Sequence, residues 1–207
     1  MPKKNLIMKE ILNYLSQTYW KITEDVMTYI LQKCDEVSIP KGEILLEEGK
    51  VCRHVWFIKK GMLRAYQESP AEDGETAKVF TNWFMKERDI ATSVDSFFDE
   101  LPSVEEIVAV EDTVVFRMSS KDLFAGMERY PCMNMLTTRI IIMYYRNSYF
   151  FQKYLRMKTP QVIYQWMLSV CPEILQRASQ KDLASFLGVS EPVYREIKSG
   201  KYKQKPR

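Results

Sequence analysis

The sequence predicts an α+β protein in three parts: a β-roll of the double-sheet jelly-roll kind with flanking helices (1–130), one long helix (131–157), and a C-terminal helix-turn-helix domain of the winged-helix-like type (158–207). Three observations predict it. Short β-rich runs punctuated by glycine fill the stretch after Val37, an unbroken helical pattern follows Pro131, and the chain closes on two short amphipathic helices joined by Gly188-Val189-Ser190.

The first element is helical. From about Asn5 to Cys34, Leu6, Ile7, Ile11 and Leu15, then Val26, Tyr29 and Ile30, recur at threes and fours, and Thr23 stands where a second helix would be capped. The texture then changes to VSIPKGEILLEEG, HVWFIKKGMLRAYQE, ETAKVFTNWFM and VEEIVAVEDTVVFRM, with Gly42, Gly49, Gly61 and Gly74 at the turns and Asp73-Gly74 as a hairpin signal. SSKDLFAGMERYP reads as a short helix stopped by Pro131, and a long helix runs from there to about Met157.

Down that long helix Leu136, Ile140, Met143, Asn147, Phe150, Tyr154 and Met157 alternate at spacings of four and three, a heptad seam. The seam serves either the monomer's own core or the same helix of a second chain. Asn147, polar in mid-seam, favours pairing, because a buried Asn fixes register in a two-stranded coil.

In the last segment Ser179 followed by Asp182 forms a capping-box-like start, and Leu183 and Leu187 give the first helix an apolar side. Gly188 suits a turn that needs positive φ, and Ser190 stands as N-cap of a helix from Glu191 to about Ser199. Pro192 is tolerated in the first turn, and Gly200 supplies a stop. By itself this pattern is also compatible with an αα-hairpin that binds no nucleic acid.

Composition sets the bounds. The 207 residues are 46% hydrophobic and 28% charged, ordinary for a folded globular protein. The opening MPKKNLIMKEILNYL lacks a signal-peptide pattern and the run from Ile140 to Met143 is far too short to span a bilayer, so a cytoplasmic location with no membrane partner is expected. Cys34, Cys52, Cys132 and Cys171 lack the CxxC spacing of metal or redox motifs, and His54, the one histidine, has no nucleophile–base partner nearby. No catalytic residue, metal site or cofactor is expected. Net charge is +3, unevenly spread: from Thr159 onward eight Lys or Arg face four acids, a net of +4, which leaves the first 158 residues near −1. A basic segment joined to a helix-turn-helix has an evident use at phosphates.

Taken together, KGEILLEEG, WFIKKGMLRAY, the long helix and PQVIYQWMLSVCPEILQRASQKDLASFLGVS resemble the cyclic-AMP receptor protein and fumarate-nitrate regulator (Crp/Fnr) family of bacterial transcription factors, over nearly the whole chain. The branch most resembled has a compact DNA-binding domain with a reduced wing. The resemblance implies a cyclic-nucleotide-binding-like sensor roll, a homodimer paired through Leu136, Ile140, Met143, Asn147, Phe150 and Tyr154, and a helix-turn-helix that reads duplex DNA. It implies double-stranded DNA, a second copy of the chain, RNA polymerase and a small-molecule effector of unknown identity as partners.

Two departures from the family pattern stand out. Where the family holds a cyclic nucleotide with Gly-Glu and an Arg-Ser or Arg-Thr pair, the matching stretch DIATSVDSFFDELPSVEEI has Thr92 and Ser93, then Ser103 and Val104, with Glu105 and Glu106 following. A phosphodiester there would lack its arginine and face carboxylates, so cyclic AMP is not the expected ligand. In the second helix, Glu196 replaces the usual arginine, leaving Glu191, Val193, Arg195 and Glu196 to face bases. Glutamate can accept from cytosine N4 and valine can touch a thymine methyl. Affinity then leans on Lys181, Ser190, Arg195, Lys198, Lys201, Lys203, Lys205 and Arg207 at the backbone. A dimeric interaction module that has lost specific DNA binding is the rival expectation.

Overall fold

The structure, a computed structural model, describes residues 2–69 and 78–202, with side chains described from residue 9 onward except 155 and 156. The Asp73-Gly74 hairpin signal, the side chains of Leu6 and Ile7, and Lys203, Lys205 and Arg207 lie outside the described residues.

Two helices open the chain, α1 (Pro2–Thr18) and α2 (Glu24–Lys33), and bury Leu12, Leu15, Val26 and Ile30. The roll follows as β1 (Asp35–Ile39), β2 (Ile44–Leu46), β3 (His54–Lys60), β4 (Leu63–Glu68), β5 (Val79–Met85), β6 (Ile90–Ala91), the short helix α3 (Val94–Asp99), β7 (Glu106–Ala109) and β8 (Thr113–Ser119). They form two four-stranded antiparallel sheets, one in the order β1-β8-β3-β6 and the other β2-β7-β4-β5. Side chains on a strand alternate between faces, so β3 sends Trp56 and Ile58 into the core between the sheets, with Leu63, Ile107 and Val115. Phe57 points the opposite way and, with Phe116 and Met118, meets α1 and α2 in a second core.

At the β3–β4 turn, Gly61 has φ +99°, and a Cβ there would stand 2.7 Å from Thr113 Cα and 2.8 Å from its Cβ. Both the backbone conformation and the close approach therefore require glycine.

The helices that complete the chain are α4 (Ser120–Arg129), α5 (Pro131–Met157), α6 (Pro160–Val170), α7 (Pro172–Arg177), α8 (Gln180–Phe186) and α9 (Glu191–Lys198). Pro131 ends one helix and, because a first-turn amide needs no partner, begins the next. Along α5, Met133 and Leu136 are buried against the first two helices, and Ile140 packs on the same cluster. The Tyr144 hydroxyl accepts a hydrogen bond from the Ile90 amide at 2.8 Å. Further on, Phe151 and Tyr154 enter a third core with Ile163, Met167, Leu183 and Tyr194.

This corrects the expected dimer seam. Leu136, only 5% exposed, Ile140 and Tyr154 are spent on the chain's own cores, Met143 is half-buried, and Asn147 and Phe150 are exposed. The expected seam winds from the inward face of α5 to the outward one, since 3.6 residues per turn lets a stripe of mixed steps drift around the helix. A second exposed apolar row holds Met135, Ile142, Tyr145 and Tyr149, while Phe150 and Met157 of the expected seam are exposed as well.

Replacing Gly61 with Ala should lower stability by roughly 3 kcal/mol through combined backbone strain and overpacking. Urea denaturation of the two proteins measures the difference, and an unchanged midpoint would show that the turn can shift to admit the methyl group.

Candidate functional site

The C-terminal part of the described chain is helical throughout, with no strand after α9, so no wing stands among the described residues. Ser179 caps α8, its hydroxyl accepting from the Asp182 amide at 3.1 Å. Gly188 takes φ +66° and lets the chain turn. Ser190 occupies the N-cap position of α9 with extended backbone, but its side chain makes no cap hydrogen bond. On α9, Tyr194 and Ile197 are buried, and the Tyr194 ring meets Tyr164 edge-on at 5.9 Å. Burial, together with the neighbouring Tyr164, pushes the Tyr194 hydroxyl up to about 12, so it stays neutral as a packing residue.

That burial aims the opposite face of α9 outward. Lys181, Ser190, Arg195, Glu196, Lys198 and Lys201 are exposed. Glu191 and Val193 are half-buried, and Val193 packs partly against the third core, which leaves less of it free to meet a base. Arg195 reaches Glu191 at 3.3 Å, one helical turn back. Lys203 lies outside the described residues.

The helix-turn-helix is seated on the outer face of the second sheet. The Ser185 hydroxyl accepts from the Thr81 amide at 2.7 Å and donates to the Val79 carbonyl at 2.9 Å. Phe186 stacks on Phe151 with ring centres 4.8 Å apart and planes 15° apart. Asp182 pairs with Arg64 of β4, Lys86 with Glu173 at 2.6 Å, and Arg177 bridges Glu87 at 2.8 Å and Glu111. Burial works against the charge on Glu87, but hydrogen bonds from Arg177 and the Gly61 amide outweigh it and hold its carboxyl down at about 2. None of these ion pairs is legible in the sequence, because they join residues from 66 to 118 positions apart.

The four residues expected to line an effector pocket divide. Ser93 and Ser103 come together, their hydroxyls 3.2 Å apart in buried positions. Thr92 turns away toward Cys52 and donates to the His54 carbonyl at 3.3 Å. Val104 is 70% exposed and lines nothing, a correction to the expected pocket: it stands in the bend before β7, outward of buried Ser103. The residue that sequence reasoning left outside the pocket is Glu105, whose carboxylate accepts from Asn82 at 3.0 Å and is also hydrogen-bonded by Ser93. Burial raises its pKa despite those bonds. A self-paired hydroxyl cluster beside a carboxylate repels a phosphate and offers it no cation. His54 is half-buried with its ring tilted against Trp56 at 6.0 Å, and burial and Arg117 lower its pKa, which suits a structural side chain.

Comparison with known proteins bears on this architecture. Residues 36–130 match the cyclic nucleotide-binding domain family. No curated protein matches the chain in sequence. Among solved structures, FixK2 from Bradyrhizobium japonicum shares 15% identity over 81% of this chain and 83% of its own, with TM-score 0.66. A transcriptional regulator assigned to the Crp/Fnr family from Eubacterium rectale shares 14% over 85% and 82%, also with TM-score 0.66. The c-di-GMP responsive global regulator CLP of Xanthomonas campestris shares 13% over 86% and 91%, with TM-score 0.65. Among the described residues no helix is long and apolar enough to cross a membrane.

Two outcomes are expected. Replacing Arg177 with Ala should cost about 1–2 kcal/mol at neutral pH, a discount on a buried pair because these groups keep some solvent. Since Glu87 sits below its ordinary 4.5, the stability from this pair is complete above pH 4.5 and disappears as pH falls toward 2, so the variant's urea midpoint should respond less to acid over that interval. Calorimetric titration with cyclic AMP should show no saturable binding even at millimolar nucleotide.

Proposed function

We propose that this chain, which carries a cyclic nucleotide-binding domain in the fold of the Crp/Fnr-type regulators, is a homodimeric DNA-binding transcription regulator whose roll has abandoned cyclic AMP. The observation that carries the reading is the outward face of α9: its inner side is locked by Tyr194 and Ile197, while Arg195, Glu196 and Lys198 stand exposed, with Lys201 just beyond its C-terminus and Lys181 exposed on α8. A second helix held this way enters the major groove, and flanking cations meet phosphates. The resulting affinity is chiefly electrostatic, because Arg195 is partly engaged by Glu191 and Glu196 is an acceptor. RNA polymerase is the further partner that a promoter-bound regulator would meet.

Pairing of two chains is assigned to the exposed stripe of α5. Tyr145 is 70% and Tyr149 63% exposed; Met135, Ile142 and Tyr149 recur every seven residues, and Tyr145 stands between the last two at the three-and-four spacing of a two-stranded coil. An exposed apolar row of this kind is costly on a monomer and marks an interface.

The Glu191–Arg195 pair and Glu196 give the interaction-module reading its one specific support, since they lower the positive potential of the face that would approach DNA. Duplex binding separates the two. Under the regulator reading, affinity falls log-linearly with salt, and Lys198→Ala or Lys201→Ala each flattens the slope by about one unit without changing sequence preference. Glu196→Arg should instead shift preference by roughly 1–3 kcal/mol toward sites with guanine at the facing position. A dimer that retains no duplex at low salt leaves the interaction module standing.

Replacing Tyr145 with Asp should convert the dimer to monomer in sedimentation, because the charge would be buried unpaired against the second chain. A dimer of unaltered affinity would move the interface elsewhere.

A further inference from the structure

We propose that the cavity between the first sheet and the helices packed on it is a binding site for a compact, uncharged apolar molecule the size of a single aromatic ring. The cavity measures about 140 Å³, is open to solvent on one side, and is lined among others by Leu12 and Leu15 from α1, Phe57 from β3, Phe97 from α3, Leu123 from α4 and Ile140 from α5. It is separate from the Ser93–Ser103 cluster, which stands where a cyclic nucleotide would be held.

Its chemistry selects the ligand class. The lining contains no charged side chain, and its polar groups are Thr92, Thr137 and the Cys34 thiol. The Thr92 hydroxyl already donates to the His54 carbonyl at 3.3 Å. A water needs two to four polar partners, so this lining holds ordered water poorly, and apolar cavities of about this volume admit ring-sized molecules. A carboxylate or phosphate would enter without a partner for its charge and is excluded. The volume suits a single ring and is large for a packing flaw in an interior that ordinarily keeps few voids bigger than a water.

Placement gives the site meaning. One wall is the sensor sheet, a second is α3 beside the Ser93–Ser103 cluster, and a third is α5, through Met133, Leu136 and Ile140. An occupant therefore touches both the sensor and the helix assigned to pairing.

The test uses the full chain with toluene, and with benzoate as the same ring bearing a charge. Near-saturating toluene should give saturable calorimetric binding and raise the melting temperature by about 2–4 °C, since a ligand that binds only the folded state stabilises it. Benzoate should do neither. Val55→Phe, which fills the cavity from β3, should abolish toluene binding while the protein still melts cooperatively. Should that variant not fold, Leu123→Phe adds the bulk from α4. Absence of saturation with the unaltered chain, toluene affinity unchanged in a folded filled variant, or benzoate binding as well as toluene would each overturn the proposal. None of these measurements involves DNA, so their outcome is independent of the regulator reading.

Discussion

A β-roll whose two sheets are apolar on both faces cannot stand alone, and the rest of this chain is arranged around covering them. The inner faces satisfy one another through Trp56, Ile58, Leu63, Ile107 and Val115. The outer face of the first sheet, with Phe57, Phe116 and Met118, is covered by α1, α2 and the first half of α5. That of the second, through Met62, Phe84 and Trp83, is covered by the end of α5 and the C-terminal helices. At roughly 25 cal/mol per Å² of apolar surface removed from water, coverage on this scale outweighs any single polar contact in the molecule. Helix α5 is the one element that serves both faces, and its inward stripe is committed at each end. On its outward side Met135, Ile142, Tyr145, Tyr149 and Phe150 remain exposed.

Electrostatics follows from the same seating. The C-terminal segment carries a net +4 in the sequence, which invites the inference that all of it is available to a polyanion. In the structure Arg177 is consumed by Glu87 and Glu111, and the roll's own Lys86 and Arg64 are spent on Glu173 and Asp182. These pairs run in both directions across the junction, so they fix orientation more than they redistribute charge. The cations left outward are Lys181 on α8 and Arg195, Lys198 and Lys201 on or just after α9, with Glu191 and Glu196 beside them on α9. Under the proposed reading such a face would attract a phosphate backbone moderately, with a grip that depends on ionic strength.

The terminal motif was legible in the sequence because its signals are local. Ser179 with Asp182, Gly188 at positive φ and Gly200 after the last helix each act within a few residues, and the structure uses all of them. Pro131 likewise marked both the end of one helix and the start of the next. The inward face of α5 was not legible, because the helix is apolar on more than one side. Leu136, Ile140, Tyr144 and Phe151 compete with Met135, Ile142, Tyr145 and Tyr149, and only the position of the first sheet decides between them. Sequence correspondence singled out Ser93 and Ser103 but could not show that their hydroxyls meet, nor that Asn82 reaches across from β5 to Glu105. The helices α6 and α7 escaped individual assignment since both are short and each begins at a proline that also reads as a loop.

The same two-ended commitment of α5 gives the molecule a path between its parts. Leu136 and Ile140 line the cavity on the first sheet, and Phe151 stacks on Phe186 of the first helix of the helix-turn-helix. From Leu136 to Phe151 the helix runs about 22 Å at 1.5 Å per residue. A helix is stiff along its axis, and its outward stripe lies between these two contacts, so a shift or rotation at the cavity end would be expressed at that stripe and at Phe186 together. The contact at Phe186 is backed by Ser185, which is bound to the Thr81 amide and the Val79 carbonyl of the second sheet. The helix-turn-helix is therefore held by one partner that can move with α5 and another that belongs to the roll. Relative motion of those two partners would change its tilt, whereas uniform motion would not. Sensitivity to an occupant of the cavity thus requires α5 to slide against the roll, and the Tyr144 hydroxyl, which accepts from the Ile90 amide at 2.8 Å, is the polar contact that resists such sliding.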